Sequence, residues 1–161
     1  MGEITQAEVI RRYSYDPADG HLTHKVGPCA GKRVGYVKPQ GYIQVSIGNK
    51  KYQEHRLIWL YFHGYLPEIL DHINCCKSDN RIENLRPATP QQNAANRRMT
   101  CKNSTGFKGV TRLPNGKYQA QTTMCGRPIY LGVYETPELA HEEFKRVSQT
   151  LNGEYFNGGS K

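Results

Sequence analysis

Residues 71–93, DHINCCKSDNRIENLRPATPQQN, constrain the fold more than any other stretch of the chain. Ile69 and Leu70 lead into Asp71-His72 as a short strand. Residues 74–84 then form a loop rich in Asn, Asp and Ser, whose side chains bond to their own backbone in turns. Residues 85–89 can return as a second strand. Thr89 is a good N-cap, Pro90 suits the first helical position and Gln92 stands where a capping box places Glu or Gln. The spacing predicts a helix over 90–99 with Asn93 in its first turn. A hairpin with that helix folded across it would gather Asp71, His72 and Asn93. Two oxygen ligands of that kind suit a hard divalent cation, and an imidazole can accept a proton from water.

The same run resembles the ββα-metal core of HNH nucleases, in the version found in phage and intron-borne homing endonucleases. Asp71, His72, Ile73, Asn80, Arg81, Ile82, Glu83, Asn84, Leu85, Arg86 and Asn93 all match that pattern in order. The resemblance implies that His72 is the general base and Asn84 the structural middle residue. It also implies that Asn93 replaces the family's last His as a metal ligand beside Asp71. The cofactor it implies is one divalent ion, Mg²⁺ or else Mn²⁺. His55 and Arg56 match the His-Arg-Leu that commonly precedes this subtype; each fits a DNA phosphate contact, and His55 equally fits a packing or capping role. Arg81, Arg86, Arg97 and Arg98 are further candidate DNA contacts.

The chain of 161 residues has room for one ordinary domain or two very small ones. Its 22 Lys and Arg against 14 Asp and Glu give a formal charge of +8, which favours a polyanionic partner. No apolar run approaches the roughly 18 residues of a membrane span. No signal-peptide pattern opens the chain, so a soluble cytoplasmic protein is expected, in the host cytoplasm if phage-encoded. Cys29, Cys75, Cys76, Cys101 and Cys125 are odd in number and include no C-x-x-C pair. They are expected to be reduced thiols, with no structural zinc.

Ahead of the hairpin, Thr5 and Glu8 have capping-box spacing, and Ile4, Val9 and Ile10 offer a small apolar face for a helix over 5–12. Residues 13–20 read as turn chemistry leading to a strand at 21–25. Short strands at 36–38, 42–47 and 51–53, with Gly41 and Gly48-Asn49 as turns, make a small β-meander. The apolar run Leu57 to Phe62 makes 54–63 a core helix closed by Gly64. After the 90–99 helix, 97–106 reads as a basic connector.

Beyond it, 107–113, 117–124 and 128–134 read as three strands separated by Pro114-Asn115-Gly116 and Cys125-Gly126-Arg127. Thr136-Pro137 opens a helix whose Ala140, Phe144, Val147 and Leu151 share a face, ending at Gly153. The runs GFKGVTRLPNGKYQAQ, IYLGVYETPELAHEEF and LNGEYFN resemble the Apetala-type DNA-binding domain of plant ethylene-response factors, which phage homing nucleases also carry. That resemblance implies a sheet entering the DNA major groove. Thr111, Leu113 and Thr123 stand where basic residues are frequent, leaving Lys108, Arg112, Lys117, Tyr118, Gln119, Gln121 and Arg127 as candidate contacts.

The expected architecture is α+β: a β-meander and HNH core within 1–103, the core at about 54–99, then a three-stranded antiparallel sheet on one helix within 104–161. The expected activity is metal-dependent hydrolysis of duplex DNA to a 5′-phosphate and a 3′-hydroxyl, with the C-terminal sheet positioning the substrate. The alternatives are a DNA-binding protein whose nuclease core no longer cuts, and an RNA binder stacking bases on Tyr118 and Tyr130.

Overall fold

A computed structural model of the chain describes residues 4–99 and 103–159, and its architecture is α+β. The chain divides into two compact units, Met1–Ala88 and Thr89–Lys161. Thr100, Cys101 and Lys102 of the expected basic connector lie outside the described residues.

The first unit opens with α1 (Gln6–Arg12), capped by the Thr5 hydroxyl, which accepts the Glu8 N–H. Ile4 and Val9 are buried, whereas Ile10, expected on the same face, is exposed, because the apolar stripe is only wide enough for the other two. Strands β1 (Tyr13–Asp16) and β2 (His21–His24) pair antiparallel, from Tyr13 opposite His24 to Asp16 opposite His21. The turn expected over 13–20 is therefore confined to 17–20, since Tyr13 is buried and its segment finds a strand partner. The meander follows as β3 (Tyr36–Val37), β4 (Ile43–Ile47) and β5 (Lys50–Gln53). Helix α2 (Glu54–His63) starts directly from β5 and stops at Gly64, whose left-handed φ of 76° lets its N–H reach the Leu60 carbonyl.

Leu57, Ile58, Trp59 and Leu60 of α2 pack into one cluster with Val9, Tyr13, Leu22, Val45, Leu70 and Leu85. Each fully buried aliphatic side chain there contributes about 1.5–3 kcal/mol. Leu70 and Leu85 belong to the hairpin of β6 (Ile69–His72) and β7 (Leu85–Ala88), so the core holds the hairpin on both of its strands.

The second unit begins with α3 (Pro90–Asn96). Its capping box is complete: Thr89 Oγ1 accepts the Gln92 N–H, and Gln92 Oε1 accepts the Thr89 N–H at 2.8 Å. The helix ends at Asn96, short of the expected 99, because Arg97 turns extended with ψ of 138°. Lys108 Nζ donates to the carbonyls of Ala95, Arg97 and Asn157, tying that end down. Strands β8 (Val110–Arg112), β9 (Tyr118–Met124) and β10 (Arg127–Tyr134) form one antiparallel sheet covered by α4 (Pro137–Asn152). Val110, Ala120, Ala140 and Phe144 are its buried apolar residues.

The buried stripe of α4 runs Ala140, Phe144, Ser148 and Asn152, steps of four, so the Val147 and Leu151 expected there are only half-buried. Polar bonds decide this: Ser148 pairs with the Thr122 hydroxyl at 2.9 Å, and Asn152 accepts from the Gln91 amide. The strand expected from 107 starts only at 110, because Gly109 takes φ of +76° and lies against the Phe144 ring. Gly109→Ala should therefore lower stability by about 1–3 kcal/mol, since its methyl group would overlap that ring in a backbone conformation disfavoured for L residues. A thermal melt of the variant indistinguishable from the parent would contradict this packing.

Candidate active site

His72 closes β6 opposite Leu85 and is 4 % exposed. Its Nε2 lies 3.0 Å from Asn80 Oδ1. Asn80 is fully buried, and its Nδ2 donates to Glu54 Oε2 at 2.8 Å. With the amide nitrogen turned to the carboxylate, Oδ1 must face His72, so Nε2 carries the imidazole proton and Nδ1 the lone pair. Burial holds the His72 pKa below the ordinary histidine value, against the opposing pull of Asn80 and Asp71, so the ring is neutral near pH 7. The His55 ring meets it edge-on at 4.9 Å between centroids.

Glu54 is the first residue of α2 and has no solvent exposure. Its Oε1 accepts the Leu22 N–H at 2.9 Å, and its Oε2 takes the Asn80 amide and His21 Nδ1, the latter at 3.0 Å. Burial pushes its pKa up to about 7, while the Leu22 and Asn80 hydrogen bonds pull it down. Gly20 supports the arrangement: at φ of +71° its Cα lies so close to the Asn80–Arg81 peptide that any side chain would displace it.

Successive strand residues point to opposite faces. Asp71 accordingly points to the face opposite His72 and meets Arg86, its cross-strand neighbour, whose Nη2 donates to Asp71 Oδ2 at 3.2 Å in a largely buried pair. Asn84 binds the loop from inside. Its Oδ1 accepts the Asn74 N–H, and its Nδ2 donates to Asn74 Oδ1 and the Asp79 carbonyl. Asp79 is gripped by the Arg81 guanidinium at 2.7–2.8 Å, which holds its carboxyl down at about 2. Asn93 sits in the first turn of α3 in the second unit, half-buried, with its N–H on the Thr89 carbonyl. Among the described residues, Cys29, Cys75, Cys76 and Cys125 are not joined in disulfides.

Of the expected DNA contacts, three are engaged within the fold. His55 is 3 % exposed and its pKa is lowered to about 3, first by burial and then by His72 and Arg56, so it is an uncharged packing residue. Lys108 uses its three ammonium protons on backbone carbonyls. Tyr118 points to the α4 side of the sheet and packs on the Val110, Ala120 and Ala140 cluster. Arg56 clamps the Pro67 and Glu68 carbonyls, and Arg81 and Arg86 are engaged with Asp79 and Asp71. Arg97, Arg98, Arg112 and Arg127 are exposed, and Lys117 is exposed in an ion pair with Glu135. Gln119 and Gln121 stand on the open face of the sheet, opposite Val133 and Tyr130 of β10. Glu54, Asn80 and His21 were missed as functional groups. Asn80 belongs to the motif and carried a signal, whereas Glu54 and His21 carried none, being 26 and 59 positions from Asn80 in the chain.

A neutral imidazole at the end of a strand, beside a loop braced from within, is chemically able to accept a proton from water. A family model described as HNH endonuclease matches residues 52–95, which contain α2, the hairpin and most of α3. An uncharacterized HNH endonuclease of Acanthamoeba polyphaga mimivirus is 33 % identical over 131 residues, covering 80 % of this chain and 67 % of that protein. The chain belongs to the HNH endonuclease family and is an enzyme of that class. The solved structure of the HNH homing endonuclease I-HmuI, reported for its DNA binding and cleavage, aligns over 89 % of this chain and 85 % of that one, with 22 % identity and a TM-score of 0.43. Among the described residues no helix is long and apolar enough to cross a membrane.

Proposed function

We propose that this endonuclease hydrolyses phosphodiester bonds of duplex DNA, in the manner of a homing nuclease, to leave a 5′-phosphate and a 3′-hydroxyl. The observation that carries the proposal is the buried His72, whose Nε2 lies 3.0 Å from Asn80 Oδ1 and whose pKa burial lowers toward the neutral ring. Nδ1 takes a proton from water as the oxygen attacks phosphorus, the bond to the 3′ oxygen breaks, and that oxygen leaves to gain a proton from solvent. Asn84 keeps the 74–79 loop in place so that Asn80 stays on His72. The net charge of +8 supports a polyanionic substrate.

Asp71 and Asn93 are the residues that would hold a divalent ion, Mg²⁺ or Mn²⁺. Carboxylate and amide oxygens fit a hard cation, which keeps several waters and needs only one or two carboxylates. When bound, the ion supplies charge stabilisation at the phosphate and the leaving oxygen. The segment 104–161 is proposed to be an Apetala-type module that positions DNA through the open face of its sheet, with Gln119 and Gln121 on that face and Arg112, Lys117 and Arg127 at its margins. Arg97 and Arg98 are proposed to lie along phosphates. A phage origin is part of the same family reading.

Supercoiled plasmid should be nicked in Mg²⁺, protected by EDTA and nicked again when Mg²⁺ is restored in excess. A protein that shifts the plasmid on a gel yet leaves it supercoiled in both Mg²⁺ and Mn²⁺ would overturn the assignment.

A further inference from the structure

We propose that Glu54 and Asn80 are positioning residues for His72: the Glu54 carboxylate fixes the orientation of the Asn80 amide, and that amide fixes which nitrogen of His72 carries the proton. The consequence for rate rests on the nuclease reading above; the relay itself does not.

The chain of bonds has one end that cannot be reversed. The Leu22 backbone N–H can only donate, and it donates to Glu54 Oε1. The second carboxylate oxygen accepts from Asn80 Nδ2 and from His21 Nδ1. A carboxylate has no donor of its own, so the Asn80 amide cannot turn its oxygen toward it. Oδ1 is left to His72 Nε2, which must donate. Glu54 and Asn80 both have no solvent exposure, so water does not substitute for any member of the relay. The relay joins four elements, β2, α2, the 73–84 loop and the end of β6, and these bonds hold β2 and α2 to the hairpin.

An isosteric change reverses the relay. In Glu54→Gln the new amide must keep its oxygen on the Leu22 N–H, which places its NH₂ group toward Asn80 and His21. His21 adapts by moving its proton to Nε2. Asn80 adapts by turning its oxygen to the new NH₂ group, and its own nitrogen then faces His72. Nε2 of His72 becomes an acceptor and the proton moves to Nδ1. Adding Asn80→Asp restores an acceptor on both sides, because a carboxylate can accept from the new amide and from His72 Nε2–H together.

The experiment is nitrogen-15 NMR of the histidine rings in the full chain at about pH 8, above the value of about 7 to which burial raises Glu54, so that its carboxylate predominates, alongside nicking of supercoiled plasmid in Mg²⁺. The parent should show His72 as the Nε2–H tautomer. Glu54→Gln should show it as Nδ1–H, with kcat for nicking reduced roughly 10²-fold and KM for plasmid unchanged. The double variant should return both the tautomer and the activity. Retention of the Nε2–H tautomer in Glu54→Gln overturns the proposal. So does an Nδ1–H tautomer in the unsubstituted protein, a reading that holds even if the single variant fails to fold. If the tautomers follow the relay but the parent does not nick plasmid, the relay stands and the nuclease reading falls.

Discussion

His72→Ala is expected to cut plasmid nicking by about 10²–10⁴-fold while leaving DNA binding in place, the loss typical of a missing general base. The size of the effect follows from how little else near the hairpin can take the proton. His55, the nearest imidazole, is buried and pushed down to about 3, so it is neutral at working pH but 3 % exposed and poorly placed to meet water. Asp79 is held at about 2 by Arg81 and is a weak base. His72 itself has its pKa lowered by burial, so its base form persists to a lower pH than for a free histidine. The acid limb of the parent's kcat profile should accordingly fall below the ordinary histidine value. The fold should survive: the Asn80 oxygen loses its partner, a loss of about 1–3 kcal/mol, and the His55 and Tyr42 rings lose a ring contact. Normal nicking by a folded His72→Ala would remove His72 from the chemistry.

The sequence carried the hairpin, the core helix and the first and last helical caps because those depend on neighbours within a few positions. Thr89 and Gln92 announce the capping box they form, and Gly64 announces the end of α2. What it did not carry depends on partners far along the chain. Tyr13 to Asp16 read as turn until His21 to His24 supplied a strand to pair with. Val147 and Leu151 looked like the inner face of α4, yet the helix is rotated so that Ser148 and Asn152 reach Thr122 and Gln91. The same limit applies at the site. Asp71, His72 and Asn84 were legible because the motif is local, whereas Glu54 reads as an ordinary polar residue opening a helix. Its role appears only when Leu22, Asn80 and His21 are brought around it. A Lys or His in a basic chain looks available until its hydrogen-bond partners and burial are known, as Lys108 and His55 illustrate.

Glu54→Ala is expected to destabilise the first unit by about 2–5 kcal/mol. Two effects oppose each other. Removing the carboxylate leaves the Leu22 N–H, the Asn80 amide and His21 without their shared acceptor, at about 1–3 kcal/mol for each buried donor left unsatisfied. Against this, the variant no longer bears the burial of a carboxylate whose pKa has risen from 4.5 to about 7, which recovers at most about 3 kcal/mol when that group is charged. Three orphaned donors outweigh one relieved charge. The balance depends on pH with a definite sign. Because the folded-state pKa of Glu54 is raised, the stability it contributes is full below about 4.5 and is lost as pH rises through about 7. The alanine variant lacks that loss, so the gap between parent and variant should be wider near pH 5 than near pH 8. For a unit the size of Met1–Ala88, each kcal/mol moves a melting midpoint by about 4–8 °C, so a loss of about 2–5 kcal/mol is expected to lower it by roughly 8–40 °C near pH 5. Melts of parent and variant at the two pH values check both magnitude and sign, and a gap that widens toward alkaline pH would mean that the buried carboxylate is stabilised as an anion.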